Sequence, residues 1–143
     1  LETEKALHDF LLKIIREGVV QSAHDCSDGG LSVALAECCI SAPDSRKGAV
    51  VQLPLDASRL DALLFGESQS RVVLSVKPEM ADQVLNRAWD SGIPAMKIGT
   101  VGGDRFVLDV EKGQWSKGCR IDFPVDQLYD RWAFSIERTL NQA

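Results

Sequence analysis

The sequence predicts an α/β protein in which helices pack on a mixed β-sheet. Short runs rich in β-branched residues alternate with longer runs that have helical spacing, and a glycine pair late in the chain is typical of a β-hairpin. The predicted order is helix, strand, helix, strand, short helix, strand, helix, hairpin and helix. Because a hairpin lies among the mixed elements, we expect a mixed sheet covered by helices rather than a doubly wound fold.

The first and last helices have clear apolar stripes. Thr3 to Glu17 is predicted to be helical, with Gly18 as its C-cap. In the last predicted helix the apolar residues keep helical spacing from Val125 to Leu140, and Asp122 or Pro124 marks its start. A further helix is expected after Pro78, where the missing N–H of proline does no harm. The predicted core face of that helix comprises Met80, Val84, Leu85, Ala88 and Trp89.

The earlier strands follow from short runs of β-branched and apolar residues. Val19 to Ala23 is the first and Val50 to Leu55 the second. Arg71 to Val76 has the composition of a central strand. Arg59 to Phe65 is predicted to be a short helix between the second and third strands.

The later strands surround a glycine pair. Ala95 to Val101 and Arg105 to Val110 are predicted strands, and Gly102-Gly103-Asp104 between them predicts a hairpin turn. We expect one more short strand in the looser segment around Lys112-Gly113 and Gly118.

Length and composition fit one folded domain. The chain has 143 residues, of which 45% are hydrophobic and 26% charged, and its net charge is −5. We therefore expect a single domain over residues 1–143. The acidic balance and the scattered basic residues argue against nucleic-acid binding, and no apolar run approaches the roughly 20 residues that span a membrane. Because the chain starts at Leu1 rather than Met, we expect a piece of a longer protein.

The four cysteines predict neither a disulfide framework nor a zinc site. They are Cys26, Cys38, Cys39 and Cys119, and no C-x-x-C pair occurs among them. This usage is typical of a reducing, cytoplasmic environment. His24 and Cys26 have the wrong spacing for any common zinc class, and as a base and nucleophile they lack a third group to orient them.

A polar turn with two glycines lies where the first strand is followed by a helix. We expect Ser27 or Asp28 to cap that helix, while Gly29 and Gly30 let the backbone approach a bound group. A helix N-terminus behind a glycine turn is a site for an anion such as phosphate, and Asp25 and Asp28 can hold Mg²⁺ there. The alternative is that these residues only cap the helix and form a tight turn.

A second polar segment precedes the third strand. It reads Glu67-Ser68-Gln69-Ser70-Arg71. Polar side chains at the mouth of a buried strand can contact a ligand, and Arg71 can pair with a carboxylate or phosphate. The alternative is a turn whose polar groups are satisfied within the protein.

Three segments resemble one enzyme family. Residues 22–37 look like the S-A-H-D-x-S-D-G-G-L-x-V-A-L-A-E signature of phosphoribosylformylglycinamidine synthase. Residues 65–71 resemble the F-x-E-S-x-S-R segment of that family, and residues 98–103 are similar to its I-G-x-V-G-G turn. The order of the segments resembles the C-terminal domain of the large, synthetase subunit of the short bacterial type.

The resemblance implies a fold and a reaction. The fold is that of the AIR-synthetase-like C-terminal domain, a three-layer mixed α/β arrangement. The parent enzyme is a cytoplasmic, ATP- and Mg²⁺-dependent C–N ligase of purine biosynthesis. It converts formylglycinamide ribonucleotide, ATP and glutamine-derived ammonia to formylglycinamidine ribonucleotide, ADP, phosphate and glutamate. Phosphoryl transfer activates the formamide oxygen, and ammonia then displaces it.

The same resemblance implies where the partners and the chemistry lie. The partners are the N-terminal domains of the same subunit, a glutaminase subunit and a small accessory subunit. The ATP-binding domains and the catalytic histidine precede this domain, so we expect no catalytic residue, metal or cofactor held by this chain alone. His24 is not assigned as that histidine. The isolated chain is expected to be inactive.

The subunit of this family is an internal duplication, and this domain resembles its second copy. The Glu-Ser-Gln segment of the first copy contacts substrate. The candidate phosphate-facing residues here are Asp25, Ser27, Asp28, Gly29 and Gly30. The candidate residues of a substrate-site-like segment are Glu67, Ser68, Gln69 and Arg71.

Two alternative functions stay open. The first is a non-catalytic module that scaffolds the active pseudo-dimer and binds no ligand. The second is the equivalent domain of AIR synthetase, selenophosphate synthetase or thiamine-phosphate kinase. The Ser-Asp-Gly-Gly-Leu and Glu-Ser-Gln-Ser-Arg contexts favour the synthase.

Overall fold

Six α-helices, two short 3-10 helices (Pro43–Ser45 and Pro78–Met80) and six strands make up a computed structural model that describes residues 2–54, 59–112 and 117–141. The helices are α1 (Glu2–Arg16), α2 (Gly30–Ile40), α3 (Leu60–Phe65), α4 (Ala81–Asp90), α5 (Val125–Ala133) and α6 (Ser135–Asn141). The strands are β1 (Val20–Asp25), β2 (Ala49–Leu53), β3 (Val72–Val76), β4 (Gly99–Val101), β5 (Arg105–Val110) and β6 (Cys119–Pro124). Leu1, Leu55 and Gly113, which enter the sequence-based predictions, lie outside the described residues. None of the described helices is long and apolar enough to cross a bilayer.

The mixed α/β class is confirmed, and the strands divide between two sheets. β1 and β3 form an antiparallel pair. The other sheet has the order β4-β2-β5-β6, in which β2 and β5 run parallel and the other neighbours run antiparallel. The second sheet is therefore mixed, as predicted.

The predicted hairpin around Gly102 is wrong. β4 and β5 do not pair, because β2 lies between them, with Val50 opposite Thr100 on one side and Val107 on the other. The glycine pair instead crosses the start of β2, where Gly102 N–H donates to the Gly48 carbonyl at 2.8 Å. A local turn signal does not reveal that a distant strand inserts between two successive ones.

The prediction of a central strand at β3 is also wrong. Among the described strands β3 pairs with β1 alone, and all of its side chains are half-buried. Val72, Leu74 and Val76 pack against the cluster formed with α1 and α4, whereas Val73 packs against the other cluster. β3 is apolar because helices cover it, not because strands flank it on both sides.

Two hydrophobic clusters make up the core. The larger joins α2 and α3 to the four-stranded sheet and includes Phe106 and Leu108, which are 2% and 0% exposed. The smaller joins α1 to α4 around Ile14, which is 0% exposed. On the predicted core face of α4, Val84 and Ala88 are buried, but Trp89 is 56% exposed. The prediction for Trp89 is wrong because its indole turns to donate to the Ala95 carbonyl at 3.0 Å.

The last predicted helix is broken into α5 and α6 at Phe134. Trp132, Ile136 and Leu140, which share its apolar stripe, are 56%, 75% and 72% exposed. Helical spacing predicted the stripe correctly, but its later half stays largely exposed, although the Trp132 ring lies 6.3 Å from the Tyr129 ring between centroids. The prediction of a single helix is therefore wrong beyond Ala133, whereas at its start Val125 is buried and Leu128 and Tyr129 pack against the larger cluster.

Candidate functional site

The two predicted polar segments lie side by side. We call residues 25–30 the glycine turn and residues 67–71 the polar segment. Antiparallel pairing places Asp25 opposite Val72, and Cys26 N–H donates to the Arg71 carbonyl at 3.0 Å. Gly29 N–H donates to Glu67 Oε1, also at 3.0 Å. Pairing of β1 with β3 therefore joins two segments that are about forty residues apart in sequence into one surface.

The glycines of the turn are required by its conformation. Gly29 and Gly30 have φ values of +78° and +72°, in the left-handed region that side chains disfavour. A Cβ on Gly30 would lie 2.6 Å from the carbonyl carbon of Phe65. The start of α2 therefore packs directly against the end of α3. Ser32 Oγ reinforces this contact by donating to the buried Leu64 carbonyl at 3.0 Å.

The predicted N-cap of α2 is wrong. The cap residue is Gly29, which has no side chain to accept a capping hydrogen bond, and neither Ser27 nor Asp28 takes that position. The Glu67 carboxylate accepts from the Gly29 N–H instead. A negative charge is favourable beside the positive end of the helix dipole. Capping rules consider neighbours in sequence, so they do not detect a carboxylate that arrives from another segment.

Arg71 is half-buried beside the end of α3. Its guanidinium donates to the carbonyls of Leu63 and Gly66, each at 3.4 Å. These are long contacts with carbonyl groups that the helix leaves exposed at its C-terminus. Arg71 thus contributes to the junction between α3 and the polar segment. Its predicted pairing with a ligand stays a prediction.

The remaining candidate side chains face solvent. Asp25, Ser27 and Asp28 of the glycine turn are exposed, as are Ser68 and Gln69 of the polar segment. Within the described ranges no group of three or more His, Cys, Asp or Glu side chains is arranged to hold a metal ion. Any Mg²⁺ at Asp25 or Asp28 would therefore need water or phosphate oxygens to complete its coordination.

His24 is anchored between β1 and α2. Its Nδ1 donates to the Asp25 carbonyl at 2.6 Å, and its Nε2 lies 3.3 Å from Glu37 Oε2. Glu37 was not predicted as a partner of His24, although it is the last residue of the same signature that contains His24. Burial raises the pKa of the Cys26 thiol, so Cys26 is a poor nucleophile at neutral pH.

A groove of about 450 Å³ lies elsewhere, between α1 and α4. Its lining includes Asp9, Lys13, Arg87 and Asp90, and none of the candidate residues. The glycine turn and this groove are therefore separate features. The chemistry predicted from the sequence belongs to the turn.

Comparison with known proteins gives consistent matches. The PurL subunit of phosphoribosylformylglycinamidine synthase from Caldanaerobacter subterraneus subsp. tengcongensis is 42% identical over 138 residues, covering 96% of this chain and 18% of the relative. The same subunit from Synechocystis is 40% identical over 142 residues, covering 97% of this chain and 17% of the relative. The chain thus spans less than a fifth of the length of these relatives.

Solved structures share the fold. Thermotoga maritima PurL complexed with ATP has a TM-score of 0.69 and 22% identity, and the match covers 87% of this chain and 21% of that one. The same protein complexed with FGAR gives a TM-score of 0.69, 24% identity and coverage of 88% and 21%. The family described as AIR synthase related protein, C-terminal domain, matches residues 1–111. Since that match covers most of the chain, the protein belongs to the family of AIR synthase related C-terminal domains.

Proposed function

We propose that the chain is the C-terminal domain of the synthetase subunit of phosphoribosylformylglycinamidine synthase. The observation that supports this most strongly is 42% identity to a PurL subunit across 96% of the chain. On this proposal residues 1–143 form one domain of a longer subunit, and the ATP-binding part lies in the N-terminal domains. The share of 18% of the relative's length is consistent with one domain among several.

The proposed reaction is that of the parent enzyme. Formylglycinamide ribonucleotide, ATP and ammonia from glutamine become formylglycinamidine ribonucleotide, ADP, phosphate and glutamate. Thermotoga maritima PurL has been solved with ATP, ADP, AMPPCP and FGAR, which supports nucleotide and substrate binding by the parent subunit. A structure of PurLQS from the same organism supports a multi-subunit complex. We propose a cytoplasmic location, a requirement for Mg²⁺, and a glutaminase subunit and a small accessory subunit as partners.

The geometry of the glycine turn supports a division of roles within this domain. Glu67 and Arg71 contact backbone groups of the chain itself, so we assign them to holding the α2–α3 junction. Asp25, Ser27 and Asp28 are exposed and stay the candidates for contact with a phosphate. The second candidate function, a scaffold that binds nothing, is favoured by Glu67 because its carboxylate already accepts the Gly29 N–H.

A mixing experiment tests the proposed function. The Caldanaerobacter subunit would be prepared without its matching segment and combined with this chain, formylglycinamide ribonucleotide, Mg-ATP and ammonium. We expect ADP release only when both proteins are present. ADP release by the 143-residue chain alone would contradict the proposal, because its ATP-binding part is assigned to the other domains.

Substitutions in the turn separate ligand contact from scaffolding. Asp28→Asn removes a charge from an exposed side chain, whereas Gly29→Ala is unsuitable because its Cβ would lie 2.7 Å from Val33 Cγ2. Ligand contact predicts that Asp28→Asn lowers kcat/KM at least about tenfold, which corresponds to roughly 1.4 kcal/mol, at an unchanged unfolding midpoint. The exposed Glu79→Gln is the matched control for loss of one surface charge. Unchanged kinetics in Asp28→Asn would favour the scaffold.

A further inference from the structure

The end of the chain presents an apolar surface to solvent. Trp132, Phe134, Ile136 and Leu140 are 56%, 43%, 75% and 72% exposed. We call these four residues the α6 face. They lie on α5, on α6 and at the break between the two helices. Four large apolar side chains close together in sequence are more than the scattered single ones that protein surfaces normally carry.

α6 is weakly held by the rest of the chain. It has seven residues, and among those described none is buried. Arg138 Nη2 donates to both carboxylate oxygens of Asp130, each at 2.6 Å, and Thr139 Oγ1 donates to the Ser135 carbonyl within α6 itself. A helix shorter than about 12 residues is marginal in water without tertiary packing. Exposed ion pairs contribute little to such a helix, so burial against another surface would add most of its stability.

The comparisons show which proteins share the segment that carries the α6 face. The match to the family of C-terminal domains ends at residue 111, before β6, α5 and α6. The match to the Synechocystis PurL subunit covers 97% of the chain, so it continues into that last region. The segment that carries the α6 face is therefore shared with synthase subunits but lies outside the matched family domain.

We propose that the α6 face docks against the part of the synthase subunit that this chain does not span. This inference rests on the proposed function. The chain covers 18% of the Caldanaerobacter relative, which leaves 82% of that subunit to supply the complementary surface. The chemistry of the face requires an apolar recess without charges at its centre, because a charge buried there without a partner is strongly unfavourable. Arg131 and Glu137 are exposed beside the face and belong to its polar rim.

Quenching of Trp132 fluorescence tests the docking directly. The chain has three tryptophans, so Trp89→Phe and Trp115→Phe leave Trp132 as its only tryptophan, and every tryptophan of the host subunit outside the exchanged segment is replaced by Phe as well. Acrylamide quenching would be measured in the isolated chain and in a full-length Caldanaerobacter subunit that carries this chain in place of its matching segment. We expect quenching to fall several-fold in the full-length subunit, since docking takes the indole from 56% exposure to the interior of an interface. Equal quenching in the two would overturn the proposal.

A dilution series distinguishes docking of the α6 face on the rest of the subunit from self-association of two copies of the chain. A second copy of the chain on the α6 face would protect Trp132 already in the isolated chain, and the protection would disappear on dilution. That result would also overturn the proposal. Concentration-independent quenching of the isolated chain, with protection in the full-length subunit, supports it. Because quenching is read without turnover, failure of docking is distinguishable from failure of the proposed reaction, which shows as absent ADP release.

Charge substitution locates the docking on this face. Ile136→Glu puts a carboxylate at a position that is 75% exposed, so the fold of the isolated chain is expected to tolerate it. In the mixing assay we expect its half-saturating concentration to rise at least about tenfold. Leu12→Glu on α1, at a position 50% exposed, is the matched control and should leave that concentration unchanged. Equal effects of the two substitutions would overturn the assignment to the α6 face.

Discussion

At the scale of single residues, the glycine turn is held by contacts that leave little freedom. The lack of a Cβ on Gly30 lets the Phe65 backbone pack against it, and the Glu67 carboxylate accepts a hydrogen bond from the Gly29 N–H. Several residues predicted to contact a ligand therefore pack against, or form hydrogen bonds with, other parts of the chain itself. Only the exposed Asp25, Ser27 and Asp28 of the turn are left with side chains directed to solvent.

Replacing Gly30 should separate close packing from backbone strain. Gly30→Ala combines a positive φ with a Cβ 2.6 Å from the carbonyl carbon of Phe65, and we expect a loss of about 2–5 kcal/mol in the free energy of unfolding. Gly18→Ala has nearly the same φ, +71°, but nothing within 4 Å of the new Cβ, so about 1–2 kcal/mol is expected. Urea unfolding measures both. Equal losses in the free energy of unfolding for the two variants would show that the contact of the added Cβ with Phe65 does not destabilise the fold.

Cys39 should make stability fall at alkaline pH. Burial raises the pKa of its thiol from 9.0 to about 11, so in this pH range the unfolded chain loses its proton before the folded one. The contribution of the protonated Cys39 thiol to the free energy of unfolding is complete below pH 9. It is lost as pH rises from 9 towards 11, by about 1 kcal/mol at pH 10. Urea unfolding at pH 8 and pH 10 should show a smaller decrease in Cys39→Ala than in the parent chain. An identical decrease would rule out this thiol as the cause.

At the scale of elements, sequence patterns predicted what is local and missed what is tertiary. The bounds of α1, β2, β5 and α4 agree with the predictions within a few residues, because periodicity, glycine and proline act within the element itself. The pairing of β4 with β2 instead of β5 depends on a strand about fifty residues earlier. The contact of Glu67 with Gly29 depends on the pairing of β1 with β3, so no rule about neighbouring residues reveals it.

Amide exchange should rank the elements by their burial. β5 lies between β2 and β6 and contains Leu108, which is 0% exposed, whereas no described residue of α6 is buried. In the isolated chain we expect the amides of α6 to exchange fastest among the helices and those of β5 slowest among the strands. Hydrogen–deuterium exchange followed by mass spectrometry measures both. Protection of α6 equal to that of β5 would show that the helix is stabilised within the chain.

At the scale of the whole molecule, the β1–β3 sheet links the two core clusters. One face of β3 packs against the α1–α4 cluster, and Val73 packs against the larger cluster. The glycine turn lies at one end of this sheet, where β1 leads into α2. The position of the candidate site therefore depends on both clusters being formed.

Truncation in either cluster should shift one common unfolding transition. Leu108→Ala and Ile14→Ala remove side chains that are 0% exposed, and each is expected to cost about 2–5 kcal/mol. Because the β1–β3 sheet packs on both clusters, far-UV and near-UV circular dichroism should report the same midpoint in each variant. Two separate transitions in Ile14→Ala would show that the smaller cluster unfolds independently.

The proposed membership of this chain in an ATP-dependent synthase subunit is tested by placing the chain where it is proposed to work. The Caldanaerobacter subunit would carry this chain instead of its own matching segment, with formylglycinamide ribonucleotide, Mg-ATP and ammonium supplied. We predict ADP release that requires both the ribonucleotide and ammonium, within about tenfold of the parent rate, a difference of roughly 1.4 kcal/mol in the barrier. A folded hybrid subunit that releases no ADP under these conditions would contradict the proposed function.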